Sequence, residues 1–236
     1  MHFPAPPPAL RKLLIALCVA YFLSMLALRG GVTGFYSHLE LQPAAVFSGQ
    51  IWRLLSYGLL HGSVGHLIGN LLLFYFFGME IERQFGARML WKLTALCTLG
   101  GGIVAAVAST VGLASQAPVI GASGGALGML VAWCLVNARR SINLFGILPL
   151  TGKQLLYLSV GFELLMAVSP SNNSSAAHLG GMASAWLVIT GGIAPRHWLK
   201  KLRLASLRRG MRKQNQPKLS VLRGGKKQAS KDDWLN

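Results

Sequence analysis

The chain has 236 residues, of which 53% are hydrophobic and only 12% charged, yet its formal net charge is +17. That apolar excess, with a mean hydropathy of +0.48, excludes an ordinary soluble globular domain and points to a membrane protein. The positive charge does not call for nucleic acid: thirteen Lys or Arg against two Asp fall within 195–236, directly after an apolar run, as in segments drawn to anionic lipid headgroups.

In chain order, the first apolar run covers 13–28 and is preceded by Arg11 and Lys12. Its flanks resemble a signal peptide, but Leu26, Ala27, Leu28 and Arg29 offer no small-x-small cleavage site, so it reads as a retained membrane helix after a cytoplasmic N-terminus, 1–12. The connection 29–51 is apolar and aromatic, with Phe35, Tyr36 and Phe47, and is expected to lie in the membrane interface. Further apolar runs cover 54–78, 93–112, 119–138, 155–168 and 176–194. Most approach the roughly 20 residues that cross about 30 Å of hydrocarbon. The expectation is an all-α, polytopic bundle of six transmembrane helices over 13–194, followed by a basic, poorly ordered cytoplasmic tail over 195–236. Arg11, Lys12, Arg83, Arg88, Arg139, Arg140 and the tail all fall on one side if both termini are cytoplasmic, whereas the loops 113–118 and 169–175 carry no charge. Cys18, Cys97 and Cys134 lie in apolar runs without metal-ligand spacing and read as small hydrophobic fillers, and no metal or cofactor is expected.

Against this background the polar residues inside the bundle carry the information, because each is costly in hydrocarbon. "HGSVGHLIGN" places His61, His66 and Asn70 on helix 2, with His66 and Asn70 four apart on one face. Ser123 of "GASGGALGM" lies near the outer end of helix 4, and His178 of "SAAHLGGMASA" near the outer end of helix 6. Taken alone, Ser123 is a packing residue, since Gly121 with Gly125 and Gly124 with Gly128 make two small-xxx-small pairs. Taken together, these residues supply the parts of acyl transfer. A neutral His activates a Ser hydroxyl, and Asn70, His66 and the Ser123 N–H at a helix N-terminus are donors suited to an oxyanion.

In this order and spacing the chain resembles the rhomboid intramembrane serine proteases. The resemblance runs over about 51–194: Trp52-Arg53, "HGSVGHLIGN", "FGMEIERQFG" from Phe77, "GASG" from Gly121 and "AHLGG" from Ala177. It implies Ser123 as nucleophile and His178 as general base in a dyad without aspartate, with His66, Asn70 and the Ser123 N–H as oxyanion donors. It implies that Trp52, Arg53 and Glu82 hold the first external loop against the helix 2–3 region, that His61 is structural, and that Gly121, Gly124 and Gly181 support the site. Substrates would be single-span membrane proteins cleaved in or near their transmembrane segments, and the setting a bacterial inner membrane. Two positions depart from the pattern: Leu127 stands where the family often has an aromatic, and Ala185 where it often has Gly. Neither removes a reacting atom.

Glu163, a carboxyl a few residues inside the outer end of helix 5, is expected to face the bundle or a water-filled cavity or to be protonated, unless it simply lies near the interface, where the penalty falls. The resemblance makes helix 5 a mobile wall, so Glu163 is read as a gate residue that pins it by a hydrogen bond. Two other readings remain at this stage. A non-catalytic rhomboid-like binder is opposed by the intact Ser123 and His178. A proton-coupled transporter using His66, His178 and Glu163 fits the buried ionisable groups but lacks an internal repeat.

Overall fold

The computed structural model describes residues 4–144, 148–168 and 174–192; the basic tail expected over 195–236 lies outside the described residues. Helix α1, Pro8–Arg29, begins before the expected 13. Pro8 at its first position has its φ preset and no N–H to satisfy. The next two N–H groups, of Ala9 and Leu10, donate to Glu82 Oε1 and Oε2 at 3.0 and 2.7 Å. A carboxylate at a helix N-terminus also complements the macrodipole. Glu82 is therefore committed to the start of α1, not to the first external loop, and this corrects the role inferred for it.

The external connection folds into two short helices, α2 (Thr33–Leu39) and α3 (Pro43–Phe47), with Phe35, Phe47, Ile51 and Trp52 exposed. The single helix expected over 54–78 is broken. A short α4, Arg53–Ser56, passes into a 3-10 turn at Tyr57–Leu59, and the chain restarts as α5, Val64–Leu73. Ser63 makes the restart, its hydroxyl accepting from His66 N at 3.1 Å as an N-cap. Uninterrupted apolarity hides such a break; the Gly62-Ser63 pair is its sequence mark. Helix α5 runs through a π-helical turn, Phe74–Gly78, into α6, Met79–Phe85, so that Val64–Phe85 is one continuous span. Gly86, at φ +80°, turns the chain into α7, Ala87–Thr110, where only glycine enters that region without strain.

After α8, Ser123–Val136, the chain forms an antiparallel pair, β1 (Ser141–Leu144) and β2 (Leu148–Thr151), in register from Ser141 with Thr151 to Leu144 with Leu148. This hairpin departs from the all-α expectation. Its residues, Ser-Ile-Asn-Leu and Leu-Pro-Leu-Thr, connect α8 to the next helix, and the pairing satisfies their backbone groups with one another. Thr151 then caps α9, Gly152–Ala167, in a capping box with Gln154, and α10 spans Ser175–Thr190.

The protein is mostly helical and is an integral membrane protein. Three described helices are long and apolar enough to cross a bilayer: Pro8–Arg29, Val64–Phe85 and Ala87–Thr110. Helix α8 has 14 residues, and α9 and α10 have 16 each. At about 1.5 Å per residue these cover only some 21 to 24 Å. Helix α8 tolerates its shortness because it is the core of the bundle: Gly124, Gly125, Ala126 and every residue from Gly128 to Cys134 are buried. It packs against α7 and α10 along small residues, so closely that a methyl on Gly128 would lie 2.5 Å from Cys97 Sγ on α7 and 3.1 Å from Gly181 O on α10.

Candidate active site

The first turns of α5, α8 and α10 converge. Ser123 is the first residue of α8, where backbone N–H groups lack intrahelical partners. The loop before it is tied down twice. Leu41 and Val119 exchange backbone bonds of 2.9 and 3.0 Å, and Gly121 N donates to Tyr57 O at 2.9 Å. Tyr57 is itself immobilised, buried with its hydroxyl donating to Thr98 O at 2.8 Å. Gly121 adopts φ +120°, and an added Cβ would lie 2.5 Å from both Cε1 and Nε2 of His66. Conformation and space thus both require glycine there, and the bare backbone lets the His66 ring close on the Ser123 loop.

His178, in the first turn of α10, brings Nε2 to 2.7 Å from Ser123 Oγ. Its other nitrogen, Nδ1, lies 2.9 Å from Glu163 Oε2 on α9. The imidazole is therefore held from both ends, with its side chain 18% exposed and that of Glu163 8%. Glu163 faces inward as expected, but its partner is the imidazole. The cost of an unpaired carboxyl in hydrocarbon turned Glu163 inward and gave no sign of its neighbour.

Asn70 is 3% exposed, and its Nδ2 has no hydrogen-bond partner among the described residues. A buried amide donor without a partner is expensive and marks a position suited to an incoming acceptor. His66, four residues earlier on the same face, is partly buried against Gly121. His61 is fully buried, with its ring edge-on to that of His66 at 5.1 Å between centroids. It lies behind His66 and packs against it.

The external segment is fastened to this end of the bundle by Trp52 and Arg53. Trp52 Nε1 donates to His38 O at 3.1 Å; Arg53 Nη1 donates to Ser37 O and Glu40 O at 2.6 and 2.7 Å, and its Nε to Gln50 Oε1 at 2.8 Å. Partial burial raises the Glu40 carboxyl above its ordinary pKa, although Arg53 pulls it down. The guanidinium is thus held chiefly by carbonyls. Gly124 and Gly181 meet backbone to backbone where α8 and α10 cross, directly beneath Ser123 and His178. Leu127, partly buried, packs against the core, and Ala185 is fully buried.

A hydroxyl within hydrogen-bond reach of an imidazole, itself bonded to a carboxylate, is an arrangement for nucleophilic attack on a carbonyl. The chain matches the Rhomboid domain family model over residues 48–194. It is similar to "RHOMBOID-like protein 12, mitochondrial" of Arabidopsis thaliana, 30% identical over 58% of this chain and 45% of that one. It is also similar to "Rhomboid protease GluP" of Bacillus subtilis, 30% identical over 74% of this chain and 33% of that one. "Rhomboid protease GlpG" of Serratia proteamaculans is 26% identical over 74% and 59%. The chain spans between a third and a half of the length of the curated plant relatives it matches. With the domain match covering more than half of the sequence, the chain belongs to the rhomboid family.

Proposed function

We propose that the protein is an intramembrane serine endopeptidase that hydrolyses peptide bonds in or near the transmembrane segments of single-span membrane proteins. The observation that carries this reading is the 2.7 Å contact between Ser123 Oγ and His178 Nε2 at the meeting point of three helix N-termini. In this mechanism Ser123 Oγ attacks the scissile carbonyl carbon as its proton passes to His178 Nε2. The oxyanion so formed accepts from Asn70, His66 and the Ser123 N–H. Collapse breaks the C–N bond as Nε2 returns the proton to the leaving amine. Water then attacks the acyl-enzyme with His178 again as base, and the free acid and Ser123 are released. The chain's own residues supply every group, so no metal or cofactor takes part.

In this proposal α8, α9 and α10 also cross the bilayer, making six spans over 13–194, with both termini cytoplasmic in a bacterial inner membrane. Arg140, which bonds Glu80 at 2.7 Å, lies beyond the end of α8 opposite to Ser123, consistent with a basic cytoplasmic side. On this reading Ser123, at the start of the 14-residue α8, lies below the outer surface and takes its water from the outer side. The tail 195–236 binds anionic lipid, and nucleic acid is no partner.

A helical substrate keeps its carbonyls in internal hydrogen bonds, so the segment unwinds before attack. Gly and Pro weaken a helix by about 1 and 3 kcal/mol and favour that step. The test is a panel of single-span proteins incubated with wild-type enzyme and with Ser123→Ala, with product termini mapped by mass spectrometry. Cleavage is expected toward the outer end of the segment, only by the wild type, and reduced when the substrate's Gly and Pro are replaced by Leu. A cut at the cytoplasmic end, or undiminished cleavage of the Leu version, overturns this account of access. Asn70→Ala is expected to lower turnover roughly 10- to 1,000-fold, because one oxyanion donor is lost and others remain. Unchanged turnover would remove Asn70 from the site.

A further inference from the structure

The chain has six acidic residues, and Glu163 is the one that the described structure brings to the imidazole. Glu40 lies in the external segment, Glu80 pairs with Arg140, and Glu82 binds the start of α1. Helix α9 is otherwise turned outward: Tyr157, Leu158, Phe162, Leu164 and Leu165 are exposed, and beyond Leu155 Glu163 is its buried residue. A helix that presents its apolar side chains outward and hides its carboxyl has that carboxyl placed for a partner. The partner is Nδ1 of His178, whose Nε2 is the nitrogen against Ser123 Oγ.

Resting on the protease reading above, we propose that Glu163 is a positioning residue that completes a Ser-His-Glu triad, in place of the carboxylate-free dyad. An ionised carboxylate only accepts hydrogen bonds, so Nδ1 carries the proton and Nε2 is left with the lone pair that takes the proton of Ser123. When Nε2 is protonated during attack, the ring becomes a cation, and the Glu163 carboxylate 2.9 Å away offsets that charge in a site poor in water. The proton stays on Nδ1 throughout; Glu163 takes none. Among the described residues His66 also feels the charge on His178, and as an imidazole it does not replace a carboxylate.

This role differs from a pin on the α9 wall, which needs only a hydrogen bond. Glu163→Gln keeps the shape and an acceptor oxygen but loses the charge, and its amide can also donate to Nδ1 and select the opposite tautomer. On the triad reading Glu163→Gln lowers kcat about 10²- to 10⁴-fold with KM changed less than about twofold, as for loss of charge at the third member of other triads. Wild-type kcat in Glu163→Gln would overturn the proposal and leave a pin. The second measurement is independent of turnover: nitrogen NMR of histidine-labelled protein in micelles, with the His178 signals assigned by their loss in His178→Ala. The Nδ1–H tautomer is expected in both wild type and Ser123→Ala, with its population reduced in Glu163→Gln. His178 found as the Nε2–H tautomer in the wild type would overturn the proposal. If no substrate is cleaved, the protease reading fails, and the tautomer still decides whether Glu163 orients His178.

Discussion

Ser123→Ala and His178→Ala each bring cleavage of a single-span reporter to background, a loss of roughly 10⁴-fold or more, and the double variant loses no more than either single one. The reason is that the two side chains perform one step. Without the hydroxyl, Nε2 has no proton to take; without the imidazole, the hydroxyl is a weak nucleophile. Residual turnover would come from Asn70, His66 and the helix N-terminus, which polarise a carbonyl whatever attacks it. Both residues are partly exposed and neither is part of the packed seam, so the variants are expected to keep the thermal unfolding profile of the wild type in detergent. Labelling by a fluorophosphonate provides a second readout: it disappears in Ser123→Ala and slows sharply in His178→Ala. A double variant much worse than each single one would show that Ser123 and His178 act separately, and the shared-step assignment would be lost.

The residues of this pair were legible in the sequence because a membrane protein writes its site in contrast. Ser123, His178, His66 and Asn70 are polar positions in apolar runs; the placement of Ser123 and His178 near outer helix ends followed from loop charge, and the shared face of His66 and Asn70 from their spacing of four. The structure brings Ser123 to His178 and His66 to the Ser123 loop. What the sequence left open depends on contacts between distant elements. Glu82 and the first turn of α1 are more than seventy residues apart, and no periodicity connects them. The cost of leaving a carboxyl in hydrocarbon turned Glu163 inward but was silent on which neighbour it would meet. The break at Gly62-Ser63 was masked by continuous apolarity on both sides, although the N-cap serine stood in view. The hairpin Ser141–Leu144 with Leu148–Thr151 falls in the connection between the apolar runs 119–138 and 155–168, where no alternation of apolar and polar residues marks paired strands. Helix ends shifted by several residues where a cap, not composition, sets the boundary, as at Pro8 and Thr151.

Gly181→Ala is expected to inactivate the protein although it touches no reacting atom. A methyl at position 181 would lie 2.6 Å from the carbonyl carbon of Gly124 and 2.9 Å from its Cα, both backbone atoms that no rotamer change can move aside. Helices α8 and α10 must then separate where they cross. His178 is three residues before Gly181 on the same face of α10, and Ser123 directly precedes Gly124 on α8, so that separation acts on the 2.7 Å contact itself. Overpacking of a close-packed seam costs about 1–3 kcal/mol, which lowers the unfolding temperature. The activity loss should be larger than this cost implies, roughly 100-fold or more, because small misplacement of a base from its nucleophile weakens attack steeply. Gly161→Ala is the matched comparison: position 161 on α9 is exposed with nothing within 4 Å, so a methyl there should leave both activity and unfolding temperature close to wild type. Turnover and thermal unfolding measured side by side for the two variants decide the matter. If Gly181→Ala turned over substrate like the wild type, the meeting of Gly124 and Gly181 would not be what sets the distance between Ser123 and His178.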